Sequence, residues 1–387
     1  MLKWVQGGIS AVTGIAEPEY GPEFIHPITA TVEGKQPFEE ATRDDFKWLS
    51  PSSTNVETQT FYFDDLEKGW LGFAQVIHSN VVGIHTTAQF TFKIYDTNTG
   101  KQIWTSTKLE DFIIKGNNFY AKDLQIELAE DKDEYHVISN VTEESKVDLV
   151  FTKLAPAAKI GKDGTTIYGD NVEEPWGTMR HVFWPRNAVK GKITSKDPET
   201  GDFKEFDIDG LSMFVMAMQG MKPHHAAATW NFLNFHSKSL SAVLMEFTTP
   251  KSYASTKVSI AFVADDKDII SASIHNDVEH LKVETDEVGW PQPGAISFDI
   301  HGIDPHATDE EVSKGEKTKD VKVYGDLTLI ERVDVMHEIP TFVKNIVSGV
   351  AGTKPYIYQF WNKMTIEAGD IKETSLGYVE TTFITEA

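Results

Sequence analysis

The segment AQFTFKIY, residues 88–95, decides the fold class. Phe90, Phe92 and Ile94 fall on one side of an extended chain, and Thr91 and Lys93 fall on the other. Alternation with period two is the mark of a β-strand in a sheet with one buried face. Asp96-Thr97-Asn98-Thr99-Gly100 follows at once, a cluster of turn-forming residues. Similar stretches stand on either side: 56–63, 72–79, 102–108, 124–128 and 135–141. They are separated by Lys115-Gly116-Asn117-Asn118 and Asp131-Lys132-Asp133. Short strands with turn chemistry between them, and no helical periodicity, predict an antiparallel sandwich or barrel.

The second half repeats the style. Strand candidates are 191–194, 203–208, 227–235, 241–248, 258–263, 269–274, 278–283, 295–300, 321–329, 356–363 and 377–384. Between the two groups, residues 155–188 read as an elaborated crossing rather than a free linker. Trp176, Phe183 and Trp184 make that segment too aromatic to be left in water. Residues 19–55 are broken by Pro22, Pro27, Pro37 and Pro51 and read as an extended lead-in packed over the body. Residues 309–320, DEEVSKGEKTKD, read as an exposed loop.

The chain has 387 residues, enough for two domains of ordinary size. Its 36 Lys and Arg stand against 59 Asp and Glu, for a net charge of −23. That balance argues against nucleic acid as a partner, which needs clustered Lys and Arg, and against electrostatic attraction to anionic lipid heads. There is no Cys, so disulfides, a thiol nucleophile and Cys-ligated metal centres are excluded.

Residues 1–16, MLKWVQGGISAVTGIA, sort on a helical wheel. Met1, Leu2, Trp4, Val5, Ile9, Val12 and Ile15 share one half, while Lys3, Gln6, Ser10 and Thr13 take the other. Pro18 closes the helix. Three glycines weaken it in water, so it forms where its apolar face is buried. A polar face with only Lys3 for charge suits a surface of lipid packing defects. The alternative is a helix docked on the protein's own core.

Metal and cofactor motifs are missing. There is no HExxH, GxSxG, GxxxxGK[ST] or GxGxxG, so no metal and no cofactor are expected. A lone His is ordinarily a hydrogen-bonding or surface residue. His78, His181 and His236 stand apart because each lies in an apolar or aromatic stretch, where a polar group must find a partner. What remains is aromatic wealth on strand-like segments: Phe61, Phe63, Phe73, Phe90, Phe92, Trp104, Phe183, Trp184, Trp230, Phe232 and Phe235. These are either ordinary β core or, with the three histidines, the lining of a ligand cavity in a barrel.

The words MLKWVQGGISAVTGIAEPEYG, TNVETQTFYF, GFAQVIHSN, HTTAQFTFKI and WTSTKLEDF resemble the fungal survival-factor-one family over nearly the whole chain. The resemblance implies two tandem lipocalin-like domains, similar to carotenoid-hydratase-like and AttH-like proteins. The chain then divides into an amphipathic segment 1–18 and domains 19–218 and 219–387. It implies a role in survival under oxidative stress and in sphingolipid homeostasis. The expected activity is non-catalytic carriage of ceramide between endoplasmic reticulum and Golgi. It implies a cytoplasmic protein, peripherally attached to those membranes through the N-terminal helix, with a nuclear pool as a further expectation. The rivals are an enzyme adding water to an apolar lipid and a stress-response scaffold with a vestigial cavity.

Overall fold

The computed structural model describes residues 21–81, 83, 85–197, 199–221, 223–335 and 354–385. The expected amphipathic segment 1–18, with Met1, Leu2, Trp4, Val5, Ile9, Val12 and Ile15, lies outside the described residues. The described residues are nearly all β, as the alternation predicts. Among the described residues the helices are single turns, and none is long and apolar enough to cross a membrane.

Two large antiparallel sheets carry the chain. In the first, the spatial order is Lys101–Lys108, His85–Asp96, Trp70–Val81, Asn55–Asp65, Phe203–Gln219, Gly177–Lys196, Ser145–Lys153, Glu134–Ser139, Leu124–Leu128, Asn118–Ala121 and Ile113–Lys115. This sheet curls around one core as a half-barrel. In the second, the order is Val321–Asp326, Ala295–Ile303, Ile269–Leu281, Lys257–Ala264, Ser241–Thr248, Thr229–His236, Ile371–Phe383 and Tyr356–Ala368. Tyr356–Ala368 pairs back onto Val321–Asp326, so eight strands close into a barrel. Closure removes the exposed edges of the sheet, the lipocalin-like solution to edge pairing. Leu329–Asp334 lies outside the ring on Tyr356–Ala368.

The crossing expected over 155–188 is corrected by the structure. Gly177–Lys196 is one strand of 20 residues, paired along its length with Phe203–Gln219. Two features hide it in sequence. Pro185 cannot donate to a ladder, and the register shifts between Trp184 and Asn187 to accommodate it. Met179 to Asn187 is also buried without interruption, so the period-two signal is lost. Ser145–Lys153 is a further strand beyond those expected, with Val147, Leu149 and Phe151 alternating inward. The two strands expected over 269–274 and 278–283 are one, Ile269–Leu281, with a register shift between Ala272 and His275. The expected loop 309–320 begins with one helical turn, Asp309–Ser313, capped by Thr308 and Glu311.

The lead-in packs over the body. Phe38–Glu40 pairs with Ala158–Ile160, and Ile25–His26 pairs with Thr165–Tyr168. Phe46 and Trp48 enter the core of the first sheet.

Among the described residues there are three apolar cores, and their order explains the architecture. One lies inside the first sheet, where Phe61 stacks on Phe214 at 4.4 Å and lies 4.9 Å from Phe151. One lies inside the barrel, around Leu233, Phe235, Phe298, Phe360 and Val379. The third is a seam where the outer face of the first sheet meets the outer face of the barrel, joining Tyr62, Phe73, Met179 and Phe183 to Met245, Phe247, Phe262, Trp361 and Tyr378. Strands at the seam are therefore buried on both faces.

Candidate functional site: a cavity in the seam

The seam is not filled throughout. A cavity of about 370 Å³ lies within it, inside the range of small-molecule sites. Its walls follow the pleat. Val56, Thr58, Thr60 and Tyr62 face it from Asn55–Asp65, while Phe61 and Phe63 of the same strand point into the core behind. Met179, His181 and Phe183 alternate in the same way on Gly177–Lys196. Val215, Ala217 and Gln219 follow on Phe203–Gln219. The barrel closes the other side with Trp230, Phe232, Met245, Glu380 and Thr382.

His181 is buried, and its ring stands between Phe183, stacked at 6.4 Å, and Trp230, edge to face at 6.0 Å. Burial and the neighbouring Arg180 guanidinium push its pKa down to about 3, so the imidazole is neutral at physiological pH. Arg180 itself points away, bonding the carbonyls of Asp163 and Asp45 at 3.0 and 2.8 Å.

Glu380 anchors a polar network that runs from the cavity across the seam. Its Oε1 accepts from the Tyr378 hydroxyl and, at 2.9 Å, from Gln359 Nε2. Gln359 Oε1 in turn accepts from Lys93 Nζ at 2.6 Å, and Lys93 also reaches Glu331 Oε2 at 2.7 Å. The Lys93 ammonium lies 4.7 Å from the Trp104 ring centroid and 5.8 Å from that of Trp361. Burial raises the Glu380 pKa despite these donors, and it lowers that of Lys93 despite Glu331. Burial also raises the phenols of Tyr62 and Tyr378, so both stay protonated.

A second contact holds the seam further along. Arg186 follows Pro185 at the register shift and is fully buried. Its guanidinium donates to Asp266 Oδ1 at 2.6 Å, Ser241 Oγ at 2.9 Å, and the carbonyls of Lys238 and Ser237 at 3.0 and 3.2 Å. The first sheet is thereby tied to two turns of the barrel.

The residues singled out from sequence separate into several places. His181, Phe183, Trp230 and Phe232 meet at the cavity. Phe73 belongs to the same seam, packed on Tyr62 at 5.7 Å, and Trp104 lies beside Lys93. Phe61, Phe63, Phe90, Phe92 and Trp184 fill the core of the first sheet. His78 lies in that sheet too, edge-on to Trp48 at 6.0 Å and Phe112 at 5.6 Å. Phe235 fills the barrel core. His236 is buried near Arg186, bonded through Nδ1 to Ser241 Oγ at 2.6 Å, and its pKa is pushed down to about 3. Sequence reasoning passed over Thr58, Thr60, Tyr62, Ala217, Met245 and Glu380. Among the described residues no group of His, Asp or Glu is arranged to hold a metal ion.

The model of the Svf1 family matches residues 2–385. The chain belongs to the Svf1 family. This Svf1-family chain is 58% identical over 392 residues to the ceramide-binding protein SVF1 of Debaryomyces hansenii, covering all of both chains. It is 56% identical over 394 residues to the protein of the same name from Kluyveromyces lactis, covering all of this chain and 97% of the relative. Among solved structures it is similar to CghA, with a TM-score of 0.59 at 10% identity over 91% of this chain and 98% of the other. At that identity the likeness shows a shared fold and nothing more.

Proposed function

We propose that this chain is a ceramide-binding carrier whose lipid occupies the seam cavity. The observation that carries the proposal is the cavity itself. Two sheets turn apolar outer faces towards each other and leave about 370 Å³ between them, lined by Trp230, Phe232, Phe183, Met179 and Met245. An acyl chain loses about 0.8 kcal/mol per exposed CH₂ in water, and such a wall removes that cost. Relatives matched along their whole length carry the name ceramide-binding protein. Movement between endoplasmic reticulum and Golgi, a cytoplasmic location and support of survival under oxidative stress follow the family resemblance and form part of this reading.

The membrane step falls to residues 1–18. With a body charge near −23, attachment relies on the apolar face of Met1, Leu2, Trp4, Val5, Ile9, Val12 and Ile15. Such attachment is reversible, as a carrier between two membranes requires. The test is transfer of a fluorescent ceramide between donor and acceptor vesicles. Acceleration by the purified protein supports carriage. A rate equal to that without protein contradicts it.

One observation favours a second reading, an enzyme. His181, held neutral, and Glu380, held towards its protonated form, line one apolar cavity. A protonated Glu380 could donate its proton to one carbon of a lipid double bond while water adds to the other and returns a proton to the carboxylate. The neutral His181 could hold that water by a hydrogen bond. Mass spectrometry of lipid incubated with the protein decides between them: unchanged lipid supports the carrier, and a product 18 mass units heavier supports the enzyme.

A further inference from the structure

The described residues of the cavity wall include polar groups but no cation. Among the described residues that line it there is neither Lys nor Arg. Two cations of the neighbouring strands are committed elsewhere. Lys93 is spent on Glu331 and Gln359, and Arg180 on Asp45 and Asp163 from the opposite face of its strand. Glu380 stands in the wall as an acid. An anionic head entering here would give up its hydration, meet no counter-charge and face a carboxyl group.

His181 is different. Its ring packs against Phe183 and Trp230 and lines the cavity. An imidazole in a cavity wall offers its nitrogens to whatever fills the cavity. A neutral imidazole offers one donor and one acceptor. A hydroxyl, which can donate and accept, and a secondary amide both complement it.

We propose that His181 is the head-group anchor of the seam cavity, and that the cavity takes lipids with an uncharged hydroxyl–amide head while refusing the same lipids once phosphorylated. This rests on the lipid occupying the seam. The head hydrogen-bonds to His181, and the chains lie along Trp230, Phe232 and Met245. Selection against the phosphomonoester then needs no separate device: a wall without a cation cannot repay the desolvation of a phosphate. Phosphorylation of the head would release such a lipid from the protein.

The test is equilibrium binding of a short-acyl ceramide and of its 1-phosphate to wild-type protein, H181F, H181R and A217W. His181→Phe keeps the ring contacts and removes both nitrogens. Ala217→Trp fills the cavity. The expected result for wild type is that the phosphate binds at least about 100-fold more weakly than the ceramide. H181F should lose about tenfold for ceramide, and H181R should gain affinity for the phosphate. Equal binding of the two lipids by wild type, or full ceramide affinity in H181F, overturns the anchor while A217W still abolishes binding. Undiminished ceramide binding by A217W overturns the seam site and the anchor with it.

Discussion

Trp230 of the barrel meets His181 of the first sheet edge to face, with ring centroids 6.0 Å apart and planes at 68°. The contact crosses the seam, so the candidate site exists only where the two sheets touch. Neither core inside a sheet provides it. Variants that weaken those cores and variants that alter the seam should therefore separate cleanly.

Phe61 is fully buried behind the cavity wall, on the inward face of Asn55–Asp65. Phe61→Ala should cost about 3–5 kcal/mol in stability, read as a lower urea midpoint. At low temperature, where the variant remains folded, its lipid affinity should match wild type within about twofold. A larger loss of affinity would mean that the core of the first sheet shapes the site.

Arg186 binds barrel groups with its guanidinium while buried under them. Arg186→Met keeps most of the apolar stem but leaves Ser237 and Lys238 carbonyls without their donor. A loss of about 3 kcal/mol is expected, with the seam opening first. Hydrogen exchange checks this: amides of the 237–241 turn should exchange faster in the variant while those of the barrel interior stay slow.

His236 folds with its pKa at about 3, against 6.5 in the unfolded chain, because it is buried beside Arg186. Between pH 6.5 and 3 the unfolded state binds the proton and the folded state does not. This residue therefore lowers stability as pH falls through that window. At pH 5 the contribution is about 2 kcal/mol. Buried carboxyls such as Glu380 act in the opposite direction, so the difference between wild type and His236→Gln is the informative quantity. The cost of His236→Gln at pH 8 should shrink by about 2 kcal/mol at pH 5. A cost independent of pH would contradict the buried neutral imidazole.

The proposed membrane segment gives a simple test. Ile9→Asp or Val5→Asp places a charge in the middle of the apolar face and should abolish flotation with liposomes, leaving the thermal midpoint unchanged. Flotation equal to wild type would mean that the segment docks on the protein's own body.

The strands were legible because Phe90, Phe92 and Ile94 alternate cleanly. The cavity was less so. In Asn55–Asp65 the large aromatics Phe61 and Phe63 drew the ligand reading, yet they face the inner core. Thr58 and Thr60, polar enough to suggest solvent, face the cavity instead. A strand between two cores has two buried faces, and the alternation alone marks one. A signal against it was present in Thr229–His236, where Trp230 and Phe232 alternate with Leu233 and Phe235 and neither face is polar throughout. Lys93 could not be told from a surface charge, because its burial depends on contacts with residues more than two hundred positions away. Glu380 lies where the barrel meets the first sheet, close to Tyr62 of a distant strand. The arginine contact was hidden for the same reason: Arg186 reaches Asp266 across 80 positions.

The central claim is that lipid sits in the seam. Native mass spectrometry of the protein purified from its own host, beside the Ala217→Trp variant, tests it most directly. The account predicts wild-type protein carrying one unmodified ceramide, and a folded A217W protein carrying none. Ceramide retained by A217W, or its absence from wild type, would contradict it.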